Sequence, residues 1–142
     1  MKNFVKRIMG MVMTVLVAVA ILGGVQAQHA EAYDKYWNGD TNYYLLDGKM
    51  GTTIYLDQSS VTIKNNDDVA QIWAENFVYV NENNVCTGTK TVWFGTASGV
   101  FYVSTDGDNW TQFSPGDNSG NMTARNNGFK RGYYVAFGYG YN

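Results

Sequence analysis

Val69-Ala70-Gln71-Ile72-Trp73-Ala74-Glu75-Asn76-Phe77-Val78-Tyr79-Val80 is the stretch on which the fold of this 142-residue chain turns. At a period of two, Ala70, Ile72, Ala74, Val78 and Val80 share one face, and Val69, Trp73, Phe77 and Tyr79 share the other. Side chains alternate across a strand, so a segment apolar on both faces needs cover on both. The spacing therefore predicts a central strand. A helix fits the length, but the β-branched and aromatic content favours the pleated conformation.

Polar turn-forming runs bound this segment, Asn65-Asn66-Asp67-Asp68 before it and Asn81-Glu82-Asn83-Asn84 after it. The same texture of short apolar runs between Asn, Asp and Gly clusters continues along the chain, as expected for strands joined by tight turns. Upstream, Tyr43 to Leu46, Thr52 to Asp57 and Val61 to Lys64 read as short strands. Asp57-Gln58-Ser59-Ser60 reads as a turn between the last two, since Asp and Ser side chains satisfy backbone donors locally. Downstream, Val85 to Gly95 and Val100 to Thr105 read as an antiparallel pair around Ala97-Ser98-Gly99. Ser114 to Asn121 is a polar loop.

The C-terminal stretch supports two readings. Tyr133, Val135, Phe137, Tyr139 and Tyr141 alternate as in a strand. Met122, Phe129, Tyr133 and Ala136–Phe137 fall near helical spacing, with Ser119 placed to cap such a helix. The glycines between 128 and 140 weaken a helix. The residues alone leave both open.

The N-terminus carries the three parts of an export signal in order. Lys2, Lys6 and Arg7 are basic, Ile8 to Leu22 is apolar apart from Gly10 and Thr14, and small residues follow. Val25-Gln26-Ala27 and Ala30-Glu31-Ala32 both offer the small side chains a signal peptidase requires. The expected layout is a signal peptide over residues 1–27, cleaved after Ala27 or Ala32, and a single small exported domain over 28–142. An uncleaved anchor is the competing reading, because the apolar run approaches the roughly 18 residues needed to span a bilayer. The expected destination is the periplasm, the cell surface or the medium.

From Tyr33 onward there are seven Lys/Arg against eleven Asp/Glu, a net of −4. That acidity argues against nucleic acid, whose phosphates demand a basic footprint, and against electrostatic attachment to anionic lipid. Cys86 is the sole cysteine, so no disulfide closes within one chain. It reads as a buried small hydrophobe or as the point of an intermolecular disulfide, which would make a homodimer. All eleven Tyr and all four Trp lie beyond the signal, so rings must supply the core that disulfides supply elsewhere.

Catalytic parts are sparse. His29 is the only histidine and sits between the two cleavage sites, so the domain lacks the usual partner for Ser or Cys nucleophiles and has no His/Cys metal cluster. No phosphate loop is present. Among carboxylates, Asp67–Asp68, Glu75 and Asp106–Asp108 are the candidates for paired acid–base work on a sugar bond; all but Glu75 sit in turn sequences. Ser104-Thr105-Asp106-Gly107-Asp108-Asn109-Trp110 is similar to the Asp-box turn of sialidase-like propellers with one residue fewer, in a single copy, and a plain hairpin turn is the favoured reading. No cofactor, metal site or catalytic residue is expected. The candidate ligand-contacting residues are Tyr33, Tyr36 and Trp37, aromatic side chains in a polar segment ahead of the first strand.

Gly51-Thr52-Thr53-Ile54-Tyr55-Leu56-Asp57-Gln58-Ser59-Ser60-Val61 resembles the surface-adhesin protein E family: a Gly-containing turn, a Tyr strand ending in Asp, two residues, Ser and an apolar residue. Val69-Ala70-Gln71-Ile72-Trp73 fits the apolar strand with Trp that follows, and Tyr43-Tyr44-Leu45-Leu46 the opening aromatic strand. The match covers residues 43–73, and the family's cysteine pair is absent. The resemblance implies an exported protein that binds host matrix proteins, and a C-terminal helix. The resulting expectation is an α+β domain, mainly antiparallel sheet, with a C-terminal helix packed on one face. Its expected function is that of a non-enzymatic, adhesin-like binding protein. A carbohydrate-binding or envelope-structural domain is the alternative, with host proteins, envelope proteins or glycans as partners.

Overall fold

The computed structural model describes residues 33–117, 119 and 122–141. The export signal, both cleavage sites and His29 lie outside the described residues. Six strands, β1 (Tyr43–Lys49), β2 (Thr52–Asn66), β3 (Ala70–Val80), β4 (Cys86–Ala97), β5 (Val100–Ser104) and β6 (Thr111–Phe113), pair antiparallel in chain order. One helix, α1 (Thr123–Phe137), packs across the inner face of this curled sheet. The expected α+β class is what the chain adopts. Among the described residues no helix is long and apolar enough to cross a membrane.

β3 lies between β2 and β4, and both of its faces are covered. On the inner face Trp73 and Phe77 meet α1 through a cluster of rings. Phe129 is its hub, with Trp73, Phe94, Phe101 and Phe113 at centroid distances of 5.3, 5.7, 5.5 and 5.4 Å. Aromatic pairs at such spacing add about 0.5–1.5 kcal/mol each beyond area burial. On the outer face Val78 and Val80 pack with Tyr55 beneath Trp37.

Two short strands expected over 52–57 and 61–64 are one long strand. Asp57 to Ser60 form a wide irregularity inside β2, not a turn: Asp57 pairs with Asn76 and Thr62 with Ala74, so four residues of β2 stand opposite one of β3. The local side-chain bonds expected of a turn are present but stitch a bulge. Asp57 Oδ1 accepts from Ser59 Oγ at 2.6 Å and from Asn42 Nδ2 at 2.7 Å. Ser60 Oγ accepts from the backbone N–H of Asn76 at 2.8 Å.

The C-terminal stretch is helical from Thr123 to Phe137. Met122 holds the N-cap position without a side-chain cap, so Ser119 does not play the role its position proposed. Gly138, at φ +79°, closes the helix by donating its N–H to the Tyr134 carbonyl at 2.8 Å. Gly128 and Gly132, one turn apart, are buried against β3 and let the helix backbone approach the sheet. The short β6 goes beyond the sequence expectation, because Gln112 separates two residues of which only Phe113 is buried. Cys86 is exposed, which corrects the buried reading; the strand begins at the rim of the sheet, beyond the core.

Candidate functional site

The bulge in β2 has a consequence at the edge of the sheet. It presents Gln58, whose amide donates to the Thr41 carbonyl at 2.7 Å and whose Oε1 accepts from Arg131 Nε at 2.6 Å. Arg131 is on the outward shoulder of α1 and stacks over two rings, Tyr44 of β1 at 4.4 Å and Tyr134 at 5.0 Å from the guanidinium carbon. Both distances lie inside the range of favourable cation–π contact. The guanidinium is thus fixed by one hydrogen bond and two ring faces, while its Nη groups have no acceptor among the described residues.

A second irregularity sets the opposite wall. β1 shifts register between Leu45 and Asp47, leaving Leu46 without a partner on β2. Asn127 Nδ2 donates to the Leu46 carbonyl at 2.7 Å. This bond satisfies the carbonyl, ties α1 to β1, and leaves Asn127 Oδ1 as an acceptor facing no donor among the described residues. Tyr44, Leu45, Asn127, Lys130, Arg131 and Tyr134 line the resulting hollow, which has a volume of ≈ 330 Å³. Neither Lys130 nor Arg131 forms an ion pair among the described residues.

The three aromatic residues singled out from sequence are divided by the sheet. Tyr36 bridges to Tyr44 at the edge of β1, with ring centroids 6.0 Å apart, and so buttresses the wall of this hollow. Lys35 adds a third cation, its Nζ 5.4 Å from the Tyr36 ring and 5.7 Å from that of Tyr44. Trp37 goes to the outer face, where it stands edge-on to Tyr43 at 5.2 Å and donates Nε1–H to Asn84 Oδ1 at 2.8 Å. Tyr33 lies against Gly48, where any Cβ would strike its ring. The structure brings only Tyr36 near the hollow.

The carboxylates resolve differently from one another. Asp106 accepts from the backbone N–H groups of Asp108 and Asn109, each at 2.8 Å, from Asn109 Nδ2 at 2.6 Å, and from Ser104 Oγ at 2.9 Å. These bonds, those from Asn109 first, hold its carboxyl well below the usual range. The Asp-box-like segment is therefore a self-closed turn. Glu75 is 0 % exposed beneath α1, accepts from Trp73 Nε1 at 2.8 Å, and leaves Oε1 without a partner. Burial pushes its carboxyl well above the usual range.

A second hollow, ≈ 340 Å³, opens on the outer face over Ala70, Ile72, Gly95, Ala97, Tyr102 and Trp110. Its lining contains no charged side chain. Comparisons of the chain with family models, with curated proteins and with solved structures find no match.

Proposed function

We propose that this chain is an exported, non-enzymatic, adhesin-like binding protein whose ligand is held in the hollow between α1 and β1. The observation that carries the reading is Arg131: a guanidinium immobilised by Gln58, Tyr44 and Tyr134, yet unpaired with any carboxylate among the described residues. Fixing a long side chain in advance removes the entropy a ligand would otherwise lose on ordering it.

Export is supported by the basic, apolar and small-residue order of the first thirty-two residues. A non-catalytic role is supported by the placement of Glu75 and Asp106. Glu75 is sealed by the helix and Asp106 is occupied by its own turn, so neither is offered to a substrate beside a second carboxylate. The test is binding of the purified protein to arrayed matrix proteins and glycans, with Arg131→Gln in parallel. Retention by a specific component, lost in the variant, is the expected result. Identical profiles for both proteins would remove the hollow as the site, and turnover of any substrate would end the non-enzymatic reading.

A further inference from the structure

The hollow between α1 and β1 has a distinct chemistry as well as a volume. We infer that it takes a single saccharide residue bearing an anionic group, carboxylate or sulfate, at the edge of a sugar ring; this assignment rests on the proposed binding role of the same hollow.

The anionic part comes from the charges. Lys130 and Arg131 are the only adjacent basic pair beyond the N-terminal segment, and Lys35 lies over the neighbouring ring. Three of the seven basic side chains of an otherwise acidic domain thus gather about Tyr44. The Arg131 Nη edge is the part left open, and a planar guanidinium edge matches the oxygens of a carboxylate or sulfate in a paired geometry.

The saccharide part comes from size and from the remaining groups. A hollow of ≈ 330 Å³ exceeds what a bare carboxylate or sulfate fills. Asn127 Oδ1 offers an acceptor beside the cationic donors, and Tyr134, 48 % exposed, offers an apolar ring with a hydroxyl at its tip. Donors, an acceptor and an aromatic surface together fit a ring that carries hydroxyls on its rim and C–H groups on its faces. A bare carboxylate or sulfate would use the cations but leave Asn127 Oδ1 without a donor.

The experiment is a titration of the full-length protein with three probes, monitored by amide and side-chain NMR and by calorimetry. The probes are methyl β-glucuronide, glucose 6-sulfate and the neutral methyl β-glucoside, with sodium acetate as the control for a bare anion. The expected result is saturable binding of at least one anionic sugar, about tenfold or more tighter than the neutral sugar and than acetate, weakening with added salt. Shifts should centre on Asn127, Arg131 and Tyr134, and Arg131→Gln should lose the response while still unfolding in one cooperative transition at a slightly lower midpoint. Tyr134→Ala should retain the fold and weaken sugar binding more than acetate binding. Preference for the glucuronide over the sulfate, or the reverse, supports the inference and identifies the anion. Equal binding of the neutral sugar overturns the anionic part, and equal binding of acetate overturns the saccharide part. If no sugar binds but a matrix protein is captured through Arg131, the inference falls while the binding role stands. If no probe or protein responds to any of these variants, both fall.

Discussion

Gly132 of α1 rides directly on Glu75 of β3: a methyl group at Gly132 would overlap Glu75 Oε2 and lie 2.8 Å from Trp73 Nε1. Gly128, one turn earlier, stands in the same relation, with a Cβ falling 2.9 Å from Glu75 Oε1 and against the Phe77 ring. The two glycines are a flat track on which the helix meets a strand that has a carboxyl group and two rings pointing up at it. Neither obstacle can swing aside, because Glu75, Trp73 and Phe77 are all buried.

Gly132→Ala is therefore expected to destabilise the fold, although alanine favours helix by about 1 kcal/mol over glycine in isolation. Overpacking of a closed core costs about 1–3 kcal/mol and requires the helix to lift. Urea unfolding should show a lower midpoint for Gly132→Ala and for Gly128→Ala. Gly140→Ala, where an added Cβ meets nothing within 4 Å, should be neutral. A gain in stability for Gly132→Ala would mean that the helix does not approach the sheet this closely.

The buried carboxyl makes stability depend on pH in an unusual direction. Burial raises the folded-state pKa of Glu75 above its value in the unfolded chain, so the native state holds a proton that the unfolded state releases. Its contribution is fully present below the ordinary glutamate range and is lost as pH rises from about 4.5 through the raised value. The slope in that window approaches about 1.4 kcal/mol per pH unit. Glu75→Gln, which keeps the shape and an acceptor for Trp73, should abolish the slope: similar to wild type near pH 4, and increasingly more stable than it toward pH 8. Parallel curves across that range would show that Glu75 does not titrate within the fold.

Asp106 has the opposite sign. Its carboxylate is favoured by hydrogen bonds from Asn109, Asp108 and Ser104, so its contribution is present above the ordinary aspartate range and fades as pH falls. Asp106→Ala should lower the thermal midpoint at neutral pH and converge on wild type in strong acid. In a Glu75→Gln background the remaining acid limb should be that of Asp106 together with Asp67 and Asp117, whose carboxyls are also lowered by local hydrogen bonds. The two residues can thus be read separately from one pH series.

These contrasts mark what sequence could and could not reveal. β3 was legible because eleven residues with rings and branched side chains on both faces have one economical solution, the middle of a covered sheet. α1 was ambiguous because Gly128 and Gly132 are poor helix formers that provide clearance, and because Tyr133, Phe137, Tyr139 and Tyr141 alternate across the helix end. β2 resembles two strands in sequence because Asp57, Ser59 and Ser60 bond to nearby backbone in a turn and in a bulge alike. The hollow was hidden by distance: Tyr44, Gln58 and Arg131 come together only after the sheet has curled and the helix has docked. The adjacent pair Lys130-Arg131 in an acidic domain was the one signal in plain view. Tyr36 stands out in sequence for its polar surroundings and reaches the hollow's wall through Tyr44. Trp37 shares those surroundings yet covers the outer face, and Tyr33 covers Gly48.

Gln58 offers the sharpest separation between holding the fold and preparing the site. Its Oε1 is the hydrogen-bond acceptor that fixes Arg131, while its Nε2 anchors the Thr41 carbonyl at the exposed end of the bulge. Gln58→Ala removes both bonds at a partly exposed position, so the cost in stability should be about 1 kcal/mol. The bulge itself persists, because Asp57 and Ser60 stitch it independently. Arg131 would keep its ring contacts but lose the bond that sets the rotation of the guanidinium about Tyr44. Binding through the hollow should then weaken severalfold, with the loss concentrated in a faster off-rate, since the charge that steers approach is retained. Gln58→Glu should keep the acceptor for Arg131 but lose the bond to the Thr41 carbonyl and neutralise the cation it holds, so it should fold with a slightly lowered stability and bind an anionic ligand poorly. A Gln58→Glu variant that binds as well as wild type would show that the charge of Arg131 is not what the ligand meets.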